Sequence, residues 1–300
     1  MMNKPFRKII TLILILLILI STFSGCKNEP SSEQKNDKIV YSNIVSEKVQ
    51  NDLMKILTDS SITTERQNVL FDHIKQFNSI VNSKNLVSDF EEYDAKKTKY
   101  DPYDMQDEWN QKSPNFMGYN CRITAFGIYR DFLEIPQNSD VNNEIISFDL
   151  YALSEDSSVL LKKNDENAFS IFYSVVPTTL TKDIDTHVAT LQESWKNRGI
   201  KFAKNEKASL ISVMFHESID ENDNYLFVGP TGILFESDKK LYFLEKIAFQ
   251  EPYQLTRFNN RSELNDYLMK KYDVSYDQPT ASPFIMENDQ LLQEYKRITD

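Results

Sequence analysis

Three segments decide the fold of this chain: ASLISVMFH (208–216), YLFVGPTGILF (225–235) and LYFLEKIAF (241–249). They are rich in β-branched and aromatic residues, which fit the pleated, half-buried surface of a strand. Short polar links separate them, DENDN at 220–224 and SDKK at 237–240. Three strands with short polar links predict an antiparallel meander.

Helical periodicity dominates the chain before this meander. Apolar residues recur at helical spacing, and N-cap residues such as Ser46 stand before them. Helices first and strands second predict an α+β fold, with a helical N-terminal part packed on a C-terminal antiparallel β-sheet. The predicted helices cover 46 to about 57, 70–81, 103–112, 118 to about 133, 183 or 185 to 199, and 260 or 262 onward.

The first 25 residues have the pattern of an export signal. Lys4, Arg7 and Lys8 precede an unbroken apolar run over 9–20, and Phe23-Ser24-Gly25-Cys26 follows. A basic start, a short apolar run and small residues before a cut site are typical of a secretory signal peptide. As a helix the apolar run is only ~18 Å long, too short for a hydrocarbon core of ~30 Å.

The segment before Cys26 resembles a lipobox, which implies that a lipid is attached to this cysteine and that the chain is cut before it. Two acyl chains, such as palmitate, provide stable membrane attachment. We therefore expect a lipoprotein signal peptide at 1–25, a flexible polar tether at 26–38 and a single α+β domain at 39–300. The expected location is the outer face of the cell membrane.

Charge restricts the partners of the mature chain. The whole sequence has a net charge of −11, and removing the three basic residues of the leader leaves 31 Lys and Arg against 45 Asp and Glu, a net charge of −14. Such acidity argues against nucleic acid as a partner, because binding to phosphates needs a basic face. The expected partners are the membrane, through the lipid on Cys26, and a cell-wall peptide or a protein. The three histidines lack metal-ligand spacing, so we expect neither a metal nor a cofactor.

Five further segments carry a family resemblance: GYNCRIT (118–124), KASLISV (207–213), EKIAFQEPYQ (245–254), NDYL (265–268) and PFIMEND (283–289). They resemble segments of an uncharacterised family of Gram-positive lipoproteins, domain of unknown function 4300. The resemblance extends from about Tyr41 to the C-terminus and implies a family without implying an activity.

The order of elements also resembles papain-like amidases of the NlpC/P60 type, in which a cysteine helix precedes an antiparallel sheet. This resemblance implies Cys121 as the nucleophile, with Asn120 or Asn115 near an oxyanion site. A helix N-terminus lowers a thiol pKa. Gly229-Pro230-Thr231-Gly232-Ile233 stands where those amidases typically have Gly-His-x-Gly-Ile, and proline cannot accept a proton. Three alternatives follow: this chain has lost the activity, His216 on the preceding strand serves as the base instead, or the amidase resemblance does not extend to function.

Each candidate has a structural alternative. Cys121 is either a nucleophile or a small buried hydrophobe, and His216 is either a base or a sheet-edge histidine bonded to backbone. Glu245 or Glu251 could orient a base, or could occupy exposed strand positions. We expect His73 to be a buried side chain on the apolar face of its helix, and we expect His187 to face solvent.

Two functions follow from these alternatives. The first is a non-catalytic, membrane-anchored surface lipoprotein that binds a partner or a wall component. The second is a Cys-dependent amidase or peptidase acting on a peptide or on the peptidoglycan stem peptide.

Overall fold

The computed structural model describes residues 38–95, 99–137, 141–155, 165–274 and 278–298. The leader, Cys26 and the tether up to residue 37 lie outside these residues. The described part is a mixed α+β protein with a large antiparallel sheet, which confirms the predicted fold class.

The large sheet has nine strands among the described residues. Its order is β11-β10-β6-β7-β8-β9-β1-β2, and β4 pairs with β7 outside this path. Two further strands, β3 and β5, pair with each other. The strands are β1 (Val40–Ser42), β2 (Glu91–Glu92), β3 (Leu133–Glu134), β4 (Val176–Pro177), β5 (Lys201–Phe202), β6 (Ala208–Asp220), β7 (Asp223–Ser237), β8 (Lys240–Lys246), β9 (Tyr253–Phe258), β10 (Phe284–Glu287) and β11 (Gln290–Leu291).

The predicted meander is the centre of this sheet. Strands β6 and β7 pair from Ala208 opposite Phe235 to the turn after Asp220, and β7 continues into β8. The turn between β7 and β8 places Asp238 and Lys239 at φ of 50° and 61°, as a tight hairpin requires. Strand β8 ends at Lys246, three residues earlier than predicted. The backbone after it leaves the sheet because its carbonyls accept hydrogen bonds from the buried ammonium of Lys246.

Eight α-helices accompany the sheet in the described part, and none of them is long and apolar enough to cross a bilayer. The predicted N-caps Ser46, Asp183 and Asn260 each accept a backbone N–H with their side chains. The helices are α1 (Glu47–Asp59), α2 (Thr64–Ile80), α3 (Pro102–Lys112), α4 (Cys121–Tyr129), α5 (Ser147–Glu155), α6 (Asp165–Tyr173), α7 (Ile184–Asn197) and α8 (Arg261–Tyr272).

One predicted helix is shorter than expected. The pattern from 118 to about 133 predicts a single helix, whereas α4 covers only Cys121–Tyr129. Gly118 has a φ of 91°, a left-handed conformation that a helix excludes and that glycine adopts without strain. After α4 the chain makes a 3-10 turn over Arg130–Phe132 and enters β3 at Leu133.

Apolar layers cover both faces of the sheet. The larger layer contains the buried faces of α1, α2, α4, α6 and α7, together with side chains such as Ile233 and Leu255. The smaller layer packs Leu264 and Leu268 of α8 against Phe243 and Phe258 on the opposite face. Helices therefore cover both faces of the sheet, although most of them precede its central strands in the sequence. The N-terminal strand β1 also joins the sheet, beside β9.

Candidate functional site

The N-terminus of α4 is built around Asn120 and Cys121. The side-chain oxygen of Asn120 accepts the backbone N–H of Ile123 at 3.0 Å, which caps the helix. The side-chain amide of Asn120 donates to Asp149 at 2.7 Å. Both functions of the Asn120 side chain are therefore used in holding the helix start in place.

An ion pair lies beside this cap. Arg122 donates from Nε to Asp149 Oδ1 at 3.0 Å and from Nη2 to Oδ2 at 2.7 Å. The Asp149 side chain is fully buried, and that of Arg122 is 16% exposed. Two parallel hydrogen bonds fix the orientation of the guanidinium relative to the carboxylate, in addition to the attraction between their charges. Arg122 also donates to the carbonyl of Val228 at 3.3 Å, so the pair ties α4 to β7 and α5.

Cys121 is half-buried, and desolvation by the protein atoms around it raises the pKa of its thiol above its ordinary value. The guanidinium of Arg122 and the backbone N–H of Thr231 lower this pKa to a smaller extent, and Asp149 raises it. The direction is opposite to the one expected for a thiol at a helix N-terminus. Because the thiolate is the reactive form, a raised pKa leaves Cys121 mainly a neutral thiol at pH 7.

Pro230 occupies a β-bulge in β7. Met214 pairs with Val228 and Ser212 pairs with Thr231, so Gly229 and Pro230 together oppose the single residue between Ser212 and Met214. Proline fits this position because a bulge leaves an N–H without a ladder partner. The GPTGI segment therefore has a structural explanation in this chain.

His216 lies in a second cluster, with His187. Its Nδ1 accepts the backbone N–H of Ala281 at 3.0 Å, and its ring meets the His187 ring edge-on at a centroid distance of 4.4 Å. His187 is fully buried and bonds Thr178 Oγ1 and the Thr181 carbonyl, each at 2.9 Å. The prediction that His187 faces solvent is wrong, because the turn before α7 folds over its ring.

The structure separates His216 from Cys121. The Thr231 N–H faces the thiol, and Thr231 pairs with Ser212, four residues before His216 on β6. At about 3.3 Å per strand residue this separation is roughly 13 Å, beyond hydrogen-bond reach. His73 is buried in α2, as expected, and its ring stacks on Tyr119 at 4.2 Å.

Glu245 is buried on the other face of the sheet. It accepts a hydrogen bond from the phenol of Tyr267, and its second oxygen lies 4.0 Å from Lys271 Nζ, both on α8. The helix α4 packs on the opposite face, so the predicted catalytic set is divided. Asn120 and Cys121 lie together, whereas His216 and Glu245 each belong to a separate cluster.

Lys246 is a buried cation that sequence reasoning missed. Its ammonium donates to the carbonyls of Ala248 at 2.6 Å, Phe249 at 3.1 Å and Glu251, and lies 4.2 Å from the centre of the Phe77 ring. Burial lowers the pKa of Lys246 to about 7, although the carboxylate of Glu251 raises it. The EKIAFQEP segment is thus a loop folded around its own lysine.

A broad cleft opens on the α8 face of the sheet. Its volume is about 1130 Å³, and we call it the tyrosine cleft. Tyr93 meets Tyr267 edge-on at a centroid distance of 5.0 Å and Tyr41 at 5.7 Å. No three His, Cys, Asp or Glu side chains within the described ranges converge to hold a metal ion. The cleft is lined by Ile39, Tyr41, Glu92, Tyr93, Asp94, Ala95, Lys99, Asp266, Tyr267 and Lys270.

The fold and these sites define an α+β protein with a two-sided antiparallel sheet, a capped cysteine helix and a tyrosine-lined cleft. The chain belongs to the family described as Domain of unknown function (DUF4300), whose model matches residues 40–292. No curated protein and no solved structure matches the chain.

Proposed function

We propose that this chain is an exported lipoprotein, anchored by a lipid on Cys26, that binds a component of the cell envelope without using Cys121 as a nucleophile. The anchor part rests on the leader and on the Ser24-Gly25-Cys26 segment. The acidic surface agrees with a partner other than nucleic acid.

The state of Cys121 is the observation that carries the non-catalytic part of the proposal. A cysteine nucleophile needs a base and a thiolate. Desolvation raises the Cys121 pKa, and His216 lies four residues along β6 from the residue that pairs with Thr231, roughly 13 Å from the thiol's neighbourhood. Glu245, the residue expected to orient a base, bonds Tyr267 across the sheet instead.

The amidase remains the second candidate function. Its supporting observation is the position of Cys121 at the first turn of α4, with the Thr231 N–H directed at the thiol. His73, stacked on Tyr119 two residues before Cys121, is the histidine to test as a base in that case.

Cosedimentation with purified cell walls tests the proposal. The protein is expected to pellet with the walls, while the supernatant gains no newly released amino groups over hours of incubation. The Cys121→Ser variant should pellet equally well. Release of amino groups that requires Cys121 would establish the amidase, and failure to pellet would contradict the envelope-binding role.

A further inference from the structure

The segment that leads into β10 is held to β6 through a buried histidine. We call residues 278–283 the lead-in segment. The backbone N–H of Ala281 donates to Nδ1 of His216 at 3.0 Å, and both residues are 6% exposed. No other hydrogen bond joins 278–282 to the remainder of the described residues. The bond to His216 is therefore the polar contact that keeps this part of the lead-in segment on the strand.

This bond fixes the protonation state of His216. A backbone N–H can only donate, so Nδ1 must present its lone pair, and the single proton of the neutral ring is on Nε2. A second proton would place an N–H on Nδ1, and two donors would then face each other at 3.0 Å. A cationic His216 therefore cannot keep its bond to Ala281.

His187, the neighbouring ring, does not lose its bonds in the same way. Its Nε2 donates to the Thr181 carbonyl, and its Nδ1 accepts from the Thr178 hydroxyl, both at 2.9 Å. A hydroxyl can rotate and accept instead, so a cationic His187 keeps both partners. Of the two rings, His216 is the one whose protonation breaks a contact.

The surroundings of His216 oppose a positive charge. The His187 ring lies 4.4 Å away in the first turn of α7, where the helix dipole is positive. Nε2 of His216 has no hydrogen-bond partner in the described part of the chain. The Asn224 side chain and the Thr181 carbonyl face the ring and raise its pKa, but burial and then His187 lower this pKa by more. His216 is therefore neutral at pH 7 and takes up its second proton below pH 6.5.

No carboxylate from the described ranges bonds the ring to stabilise its cation. Asp273 and Arg297, beside the lead-in segment, pair with each other at 2.9 Å. Together with Lys182 they line a pocket of about 130 Å³ that borders this segment. The other charged side chains on the neighbouring elements are exposed to water: Lys182, Asp183, Asp185, Glu217, Asp220, Glu221 and Asp223.

From this geometry we infer that His187 and His216 form an acid-operated latch, in which protonation of His216 releases the lead-in segment from β6 while the sheet stays folded. The pocket beside the segment then opens toward the two rings. The latch goes beyond the proposed envelope binding and needs no ligand to act.

Amide hydrogen exchange of the full chain, resolved by residue with NMR, tests the latch. Dividing each rate by that of an unstructured peptide at the same pH leaves the protection due to structure. We expect the protection of the Ala281 amide to fall at least about tenfold from pH 7.5 to pH 5, because a tenfold change corresponds to one unit of pKa difference between the closed and open states. The Met286 amide, in β10 opposite Ser212, should lose less than about threefold because the strand stays paired.

His216→Asn is the matched variant, because its amide oxygen can accept the Ala281 N–H in place of Nδ1 and does not titrate. Its Ala281 protection should be the same at both pH values. Three results would each overturn the inference: Ala281 protection that is independent of pH in the unmodified chain, equal losses at Ala281 and Met286, or a loss that persists in His216→Asn. The first two need no variant, so they decide the question even if His216→Asn does not fold.

Discussion

Glu245 and Lys246 are consecutive residues of β8, and their charged groups lie on opposite faces of the sheet. Glu245 bonds Tyr267 of α8, whereas Lys246 donates to three carbonyls of the loop that follows it and faces Phe77. Each of these two residues is at most 2% exposed to solvent. Because they cannot pair with each other, each buried charge depends on its own set of partners.

The Lys246→Met variant should flatten the pH dependence of stability above neutrality. The pKa of Lys246 is about 7 in the folded chain and about 10.5 when exposed. Between these values the unfolded chain holds a proton that the folded chain releases, so stability rises with pH, by up to ~1.4 kcal/mol per pH unit. Urea titrations from pH 7.5 to 9.5 measure this slope.

The exposed Lys55→Met change is the control for that experiment and should keep the slope of the unmodified chain. An unchanged slope in Lys246→Met would mean that the three carbonyls hold the proton on Lys246 throughout this pH range.

Asp149→Asn should destabilise the fold strongly. The substitution leaves the guanidinium of Arg122 without its carboxylate at a site where Asp149 is fully buried. Removing one partner of a buried ion pair costs ~3–5 kcal/mol, and urea denaturation should show a loss of at least ~2 kcal/mol. Glu134→Gln, which breaks the exposed pair with Lys201, should cost less than ~0.5 kcal/mol. Equal effects of the two changes would contradict this account of α4.

Acid should destabilise the chain through His216. Burial, and then the neighbouring His187, lower the pKa of His216 below its ordinary value of 6.5. As the pH falls through 6.5 the unfolded chain therefore takes up a proton before the folded chain does, and stability decreases. Replacing His216 by Gln should reduce this loss between pH 7 and 5 in thermal melts. A variant with the same acid sensitivity as the unmodified chain would disprove the role of His216.

Local signals in the sequence predicted a large part of the fold. The caps at Ser46, Asp183 and Asn260 depend on side chains within three residues, and the meander depends on strand composition and short links. The strand β1 has only three residues, and its place in the sheet depends on pairing with β9, about two hundred residues later. No local pattern contains that information.

The candidate site was less predictable, for a related reason. A glutamate or lysine in a strand normally faces water, and the burial of Glu245 and Lys246 depends on partners from α8 and from a loop. The Arg122–Asp149 pair joins residues from two helices without a recognisable motif. Cys121 and Asn120 could be predicted at a helix start because capping is local.

The proposed lipid anchor on Cys26 predicts the behaviour of Cys26→Ala. If the lipid is attached to this thiol, the variant should leave the membrane fraction or accumulate as an uncleaved precursor. Cell fractionation and immunoblotting measure both results. Normal maturation and continued membrane attachment of Cys26→Ala would show that Cys26 is not the anchor, whereas Ser24→Thr should behave like the unmodified chain.

The rate at which iodoacetamide labels Cys121 tests the central claim most directly. In the Cys26→Ser protein Cys121 is the single remaining cysteine, so the label reports this thiol alone. We predict labelling at pH 7.5 that is at least ~10-fold slower in the folded protein than in denaturant, because desolvation raises the pKa of this half-buried thiol. Fast labelling of the folded protein, with a pH dependence that gives a thiol pKa below ~8.5, would contradict this account. It would identify Cys121 as an activated nucleophile.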